Sequence, residues 1–185
     1  MIDDLIQDAV RRMDKSVETT QHEFNSIRTG RAAAALLDHI TVDYYGTATP
    51  LNQLSTINVP EPRMLTIQPF DPSSLKTIEK AIMESDLGLT PSNDGKIIRL
   101  PIPQLTEERR KDLVKVVRQR AEDGRIAVRN VRRDVMHHLK ELVQKGDVGN
   151  DEERRAEERA QKLTDDHVHK IDELLKRKEA EILEV

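Results

Sequence analysis

Cysteine is missing altogether, and disulfides and thiolate metal sites go with it. A chain of 185 residues without one fits a reducing compartment. Tryptophan is missing too, and aromatics make up only 2% of the residues. Phe24, Tyr44, Tyr45 and Phe70 are too few and too scattered to stack a run of unpaired bases. No apolar run approaches the ~18 residues of a membrane span, and the start, with Asp3 and Asp4, has no apolar secretion segment. The expectation is a cytoplasmic protein with no membrane partner. Catalytic material is scarce as well. There is no glycine-rich phosphate loop, no nucleophile elbow and no Cys/His pair, so no catalytic residue is assigned.

Two carboxylate-x-x-His pairs, Asp134 with His137 and Asp166 with His169, have the spacing used by two-metal helical bundles. At about 100° per residue all four point away from the apolar stripes of their helices, so they cannot share an inward site. No metal and no cofactor is expected. His167 falls on an inner face and reads as a structural histidine.

What the chain does have is charge, at 35% of residues, and helical periodicity. From Thr106 to Gly146 apolar residues recur at Leu113, Val114, Val117, Ala121, Val128, Val131, Val135, Leu139 and Leu142, the three-or-four spacing of an amphipathic helix. Thr106 suits an N-cap, Glu107 and Glu108 suit the positive end of the dipole, and Gly146 is a natural stop. Gly124 interrupts the pattern at a cost of about 1 kcal/mol relative to alanine. At about 1.5 Å per residue the rod would be about 60 Å long, and its stripe needs partner helices.

Residues 2 to 29 supply one, with Ile2, Leu5 or Ile6, Ala9, Met13, Val17, Thr20, Phe24 and Ile27 on the seam and Gly30 as C-cap. Asn150 to Val185 supplies another, with Ala156, Ala160, Leu163, His167, Ile171, Leu174 and Ile182 inward. Between the first two helices the texture changes. All eight prolines lie from Pro50 to Pro103, and the apolar runs shorten and become β-branched. Strands are expected at Ile40–Tyr45, Leu54–Val59, Met64–Ile67 and Lys96–Leu100, with a helix opened by Asp71-Pro72 and a turn at Asn93-Asp94-Gly95. The fold class is therefore α+β: an elongated three-helix bundle (1–30 plus 105–185) with an inserted small β/α/β domain (31–104). Two short crossings join them, the second stiffened by Pro101 and Pro103, and such a pair bends about one axis.

The polar face of the long helix is nearly pure in sign. Ten Lys or Arg lie between Arg109 and Arg133 against Asp112, Glu122 and Asp123, in a chain whose net charge is −4. Lys111, Lys115, Arg118, Arg125, Arg129, Arg132 and Arg133 fall in one band, while residues 147–185 are acidic on balance. Such a band is often only a solvated face. Here arginine outweighs lysine and opposite charges at helical spacing are scarce, so an anionic partner is expected to offset the repulsion, and phosphate oxygens suit guanidinium forks. An adaptor gripping an acidic protein through the same band, and a carboxylate-bridged metalloenzyme, are the rival readings.

Several blocks stand in order along the chain: Ile27-Arg28-Thr29-Gly30-Arg31-Ala32, Asp43-Tyr44-Tyr45-Gly46-Thr47, Thr49-Pro50-Leu51, Glu79-Lys80-Ala81-Ile82, Ser85-Asp86-Leu87-Gly88-Leu89, Leu105-Thr106-Glu107-Glu108-Arg109-Arg110, Val128-Arg129-Asn130-Val131-Arg132-Arg133 and Gln161-Lys162-Leu163-Thr164-Asp165. Together they resemble the ribosome recycling factor family over essentially the whole chain. The resemblance implies an L-shaped monomer that acts after translation termination. It would bind ribosomal RNA of the large subunit, and elongation factor G with GTP would push on the small domain to split the subunits; the family has no catalysis of its own. Carried over residue by residue, RNA contact falls to Arg28, Arg31, Arg110, Arg129, Arg132 and Arg133, with Arg132 the most sensitive, and the charge band adds Arg118 and Arg125. The hinge would comprise Gly30 and Arg31 on one crossing and Pro103, Gln104 and Leu105 on the other. Ala33-Ala34-Ala35 departs from the small polar residue and proline usual in the family, which suggests that the first helix runs past Gly30 and stiffens the hinge.

Overall fold

The computed structural model describes residues 1–184. The chain divides into two compact units, Met1–Phe24 with Lys115–Glu179, and Asn25–Val114 with Ala180–Val185.

The first unit is helical. It holds nearly all of α1 (Ile2–Asn25) and the longer parts of α4 (Glu107–Gln144) and α5 (Asn150–Leu183). The periodic residues are the ones that bury: Ile6, Ala9, Met13 and Phe24 on α1, Val117 to Leu139 on α4, and Ala156, Ala160 and Ile171 on α5. Thr106 caps α4 as its chemistry suggests, its hydroxyl accepting from the N–H of Arg109 at 3.1 Å. Gly146, at φ +78°, ends it in a conformation glycine adopts without strain.

Two polar features sit in this core. The hydroxyls of Thr20 and Thr164 donate to the carbonyls of Ser16 and Ala160 at 3.0 and 2.8 Å, so neither is left unsatisfied. Gly124 faces Thr20 so closely that a Cβ there would lie 2.3 Å from its Oγ1 and 3.2 Å from Cδ1 of Ile171. The helix-weakening glycine is thus the notch that lets α1 and α5 approach α4.

The second unit is a small α/β body. After a 3-10 turn (Ala34–Leu37) come a hairpin of β1 (Thr41–Tyr44) and β2 (Thr47–Pro50), the single-turn helix α2 (Leu51–Leu54), β3 (Ser55–Glu61) and β4 (Met64–Pro69). Then follow a second 3-10 turn at Pro72–Ser74, α3 (Leu75–Met83), β5 (Ser92–Asn93) and β6 (Ile98–Pro101). The four-stranded sheet is antiparallel in the order β3-β4-β6-β5, and the hairpin forms its own sheet. Fifteen aliphatic residues make one core, including Leu37, Leu51, Leu65, Ile67, Ile78, Ile82, Ile98 and Leu100. Asp71 caps the second 3-10 turn, accepting from the N–H of Ser73 at 3.0 Å, with Pro72 in the position where no N–H is needed.

The first helix stops at Asn25 rather than near 29, and Gly30 is not its C-cap. Ile27 keeps the spacing, but Asn25 and Ser26 are weak helix formers whose side chains compete for the backbone. The buried Thr29 then turns the chain, its hydroxyl accepting from the N–H of Arg31. The alanines do not prolong α1 either. Residues 34–37 form the 3-10 turn that puts Leu36 and Leu37 into the aliphatic core, so burial overrides alanine's helix propensity.

Candidate nucleic-acid interface

Five of the eight arginines assigned to the site lie in the first unit, all on α4: Arg118, Arg125, Arg129, Arg132 and Arg133. Arg118, Arg125 and Arg132 repeat at seven residues, and Arg129 is one turn from both of its neighbours. The periodicity that buries Val117, Val128 and Val131 therefore sets these guanidinium groups along one flank of the rod.

The neighbouring flank of α5 carries acids at the same repeat, in the opposite direction: Asp165, Asp172 and Glu179. The two rows meet rung by rung. Arg118 donates through Nε to Glu179 at 2.6 Å. Arg125 donates through Nε to Asp172 at 2.8 Å and through Nη1 to Glu122 on its own helix at 3.1 Å. Burial draws the Arg125 pKa down, but Asp172 and then Glu122 more than offset this and leave it raised. Arg129 shares the other oxygen of Glu122 at 3.4 Å.

The third rung is different. Arg132 meets the neutral side-chain oxygen of Gln161 at 3.1 Å, and Gln161 in turn donates to Asp165 at 2.9 Å. Its charge is oriented but not matched. Arg133, one residue on, is exposed and has no ion pair among the described residues. Of the band's arginines, Arg118, Arg125 and Arg129 each meet a carboxylate, and the guanidinium charge left unmatched lies at Arg132 and Arg133. The repulsion that seemed to need an outside anion is partly relieved from within, by Glu122, Asp172 and Glu179. Reading α4 alone hid this, although the seven-residue spacing of Asp165, Asp172 and Glu179 was there to be seen.

The remaining arginines belong to the second unit. Arg31 pairs with Glu184 at 3.2 Å, both side chains being more than half exposed. Arg28 is half-buried without an ion pair among the described residues. Arg110, in the first turns of α4, has a buried Nε with no hydrogen-bond partner among the described residues. The residues expected at the crossings come together. A Cβ on Gly30 would lie 4.0 Å from the backbone nitrogen of Leu105, which is buried, while Pro103 and Gln104 are exposed. Each crossing is also pinned to the β3–β4 turn: the N–H of Ala32 donates to Pro62 at 2.7 Å and that of Ile102 to Arg63 at 2.8 Å.

The histidines serve the fold. His167 is 3% exposed, with Nδ1 at 2.7 Å from the Leu163 carbonyl and Nε2 at 2.7 Å from Asp14, tying α5 to α1. Asp134 accepts from Arg12 at 2.7 Å, and His137 and His169 face Glu141 and Glu173 on the exposed surface. Among the described residues no group of three or more such side chains converges so as to hold a metal ion. Nor is any helix long and apolar enough to cross a membrane.

The comparisons with known proteins agree on one family. The family model described as ribosome recycling factor matches residues 20–183. The ribosome-recycling factor of Rubrobacter xylanophilus is 58% identical over 180 residues, 97% of each chain. That of Geobacillus kaustophilus is 55% identical over the full length of both. Among solved structures, a solution structure of the ribosome recycling factor superposes with a TM-score of 0.83 at 42% identity, covering all of this chain and 98% of that one. The T. thermophilus ribosome recycling factor, described with E. coli elongation factor G on the E. coli post-termination complex, gives 0.71 at 49% identity over both full chains. These relatives are translation factors without enzymatic activity. With a match that spans the helices, the small body and the arginine block alike, the chain belongs to the ribosome recycling factor family.

Proposed function

We propose that the chain acts in the cytoplasm, as a monomer, on ribosomes that have finished translation. It grips ribosomal RNA of the large subunit and, with elongation factor G and GTP, drives the subunits apart and off the mRNA. The observation that carries the grip is the break in the ladder at its third rung, where Arg132 faces an amide while Arg118 and Arg125 face carboxylates. Matched guanidinium groups have little to offer a phosphate. Arg132 and Arg133 still have charge and donors to give, Arg129 only shares Glu122 with Arg125, and Arg28, Arg110 and Arg31, whose partner Glu184 is more than half exposed, are assigned to the same RNA. Arg118 and Arg125, by contrast, are assigned to hold α5 against α4.

Residues 31–104 are proposed to move as the body that elongation factor G pushes. The axis would run through Gly30 and Arg31 on one crossing and Pro103, Gln104 and Leu105 on the other. Support comes from the closeness of Gly30 to Leu105 and from the absence of regular helix or strand in both stretches.

The test is sedimentation of large subunits with the Arg132→Ala variant. Its melting temperature should match that of the parent, because the lost partner is one exposed amide. Affinity should fall about tenfold or more at moderate salt, and the slope of log K against log salt should become shallower by about 0.7–0.9, one phosphate's worth. Unchanged affinity with lowered stability would make the arginine structural and remove the grip.

A further inference from the structure

The acid row of α5 does not stop where the ladder loses its match. Asp165, Asp172 and Glu179 keep the seven-residue repeat of Arg132, Arg125 and Arg118, so by register Asp165 is the acid due opposite Arg132. Arg132 does not meet it. Gln161, one turn earlier on α5, stands between them. Arg132 donates through Nη1 to Gln161 Oε1 at 3.1 Å, and Gln161 Nε2 donates to Asp165 Oδ1 at 2.9 Å.

The direction of this relay follows from its ends. A guanidinium can only donate, and an ionised carboxylate can only accept. The amide between them has one workable orientation, oxygen toward Arg132 and nitrogen toward Asp165. Turned over, it would set N–H against N–H and oxygen against oxygen. Asp165 therefore orients the amide that holds Arg132, while its own charge is engaged by a neutral donor. Arg132 is half-buried and fixed at Nη1, yet it forms no ion pair among the described residues. The rest of its N–H donors, with the whole positive charge, belong to a group whose position is already set. A free-swinging arginine would have to be immobilised on binding, at a cost in side-chain entropy. A matched one would bring a carboxylate up against the phosphate, like charge to like. An amide avoids both. Glutamate, the same length, would close the ladder.

We propose that Gln161 is a positioning residue of the RNA grip: oriented by Asp165, it fixes the Arg132 guanidinium for a phosphate oxygen without cancelling its charge. The inference deepens the proposed function and rests on it, so both are read by sedimentation of the full chain with purified large subunits. Gln161→Glu should leave the melting temperature nearly level, repulsion from Asp165 being offset by the new pair with Arg132. Its affinity should fall about tenfold at moderate salt, and the salt slope should become shallower by about 0.7–0.9, although every arginine is still present. Gln161→Met fills similar space without an acceptor, so the charge stays but swings free. Its affinity should fall only about two- to threefold, with the slope unchanged. A double-mutant cycle separates positioning from direct contact. On an Arg132→Ala background Gln161→Glu should weaken binding by no more than about twofold, because its effect passes through the missing guanidinium. Parent-like affinity of Gln161→Glu overturns the positioning role. So does an equal loss with and without Arg132, which would mean that the side chain at 161 meets the RNA itself. An Arg132→Ala variant that binds as tightly as the parent overturns the grip, and the inference with it.

Discussion

The first unit sets small and polar residues among the apolar side chains of its core, whereas the second is held by a core of aliphatic ones. In the bundle, buried apolar side chains such as Ile6, Met13, Phe24, Leu139 and Ile171 are interspersed with small or polar residues: Ala9, Ala121, Ala156, Ala160, Gly124, Thr20, Thr164 and His167. In the α/β body the fifteen clustered residues are all Leu, Ile or Val. The difference follows from how each kind of structure fixes its register. A sheet is registered by its hydrogen-bond ladder and turns, because a one-residue slip would send every inward side chain to solvent. A helix stripe repeats, so sliding one rod along another by seven residues leaves apolar facing apolar. The bundle needs marks that do not repeat, and it has them in the Gly124–Thr20 notch, the His167–Asp14 bond and the amide that ends the ladder.

The largest effect is expected where the core is purely aliphatic. Ile67 is fully buried at the centre of β4, between β3 and β6. Ile67→Ala should cost about 2–5 kcal/mol, the transfer and cavity terms together. If the two units are as separately stabilised as their cores imply, amide exchange will rise in β4 and β6 while Val117 to Leu139 stay protected. Uniform loss of protection would mean that the division is only geometric.

Next comes the notch. Gly124→Ala would add about 1 kcal/mol of helix propensity on an isolated α4. Here the new methyl would press into Thr20 at 2.3 Å, and overpacking of this sort costs about 1–3 kcal/mol, so the net change should be destabilising. Adding Thr20→Ala removes the colliding hydroxyl and should recover part of the loss in a double-mutant cycle. Additive losses would show that Gly124 is not there to admit Thr20.

These two sites also mark how far the sequence could be read. Ile67 was legible as a strand residue, and the limits of α4 were legible from Thr106 and Gly146, because caps and periods are local chemistry. Gly124 could be read only as a defect, since its reason is a side chain more than a hundred residues away in sequence. The arginine band was legible in position but not in charge state: Asp172 and Glu179 neutralise two of its members from another helix, and one wheel cannot show that. The end of α1 was missed for the opposite reason. Ile27 continues a good local pattern, and the chain leaves it because Thr29, Leu36 and Leu37 bury elsewhere.

The ladder gives the third prediction. Arg125→Ala leaves Asp172 and Glu122 about half exposed and able to hydrate, so the loss of stability should be about 1 kcal/mol or less. Its effect on large-subunit affinity should be smaller than that of Arg132→Ala, with the salt slope unchanged. Equal losses of affinity from the two variants would mean that the carboxylate partners do not decide which arginine meets phosphate.

The smallest effect belongs to the second unit and is read by pH. Asp94 accepts from the N–H groups of Ile97 and Lys96, at 2.9 and 3.0 Å, and pairs with Arg99 at 3.0 Å. The backbone bonds from Ile97 and Lys96, then Arg99, lower its pKa from 3.8 to about 2. Because the folded pKa is the lower one, the unfolded chain takes up the proton first. The contribution is complete above about pH 4 and is lost as pH falls toward 2. Asp94→Ala removes it at every pH, so the stabilities of parent and variant should differ at neutral pH and converge in acid. A constant gap across that window would place the value of Asp94 in the shape of the Asn93–Gly95 turn rather than in its charge.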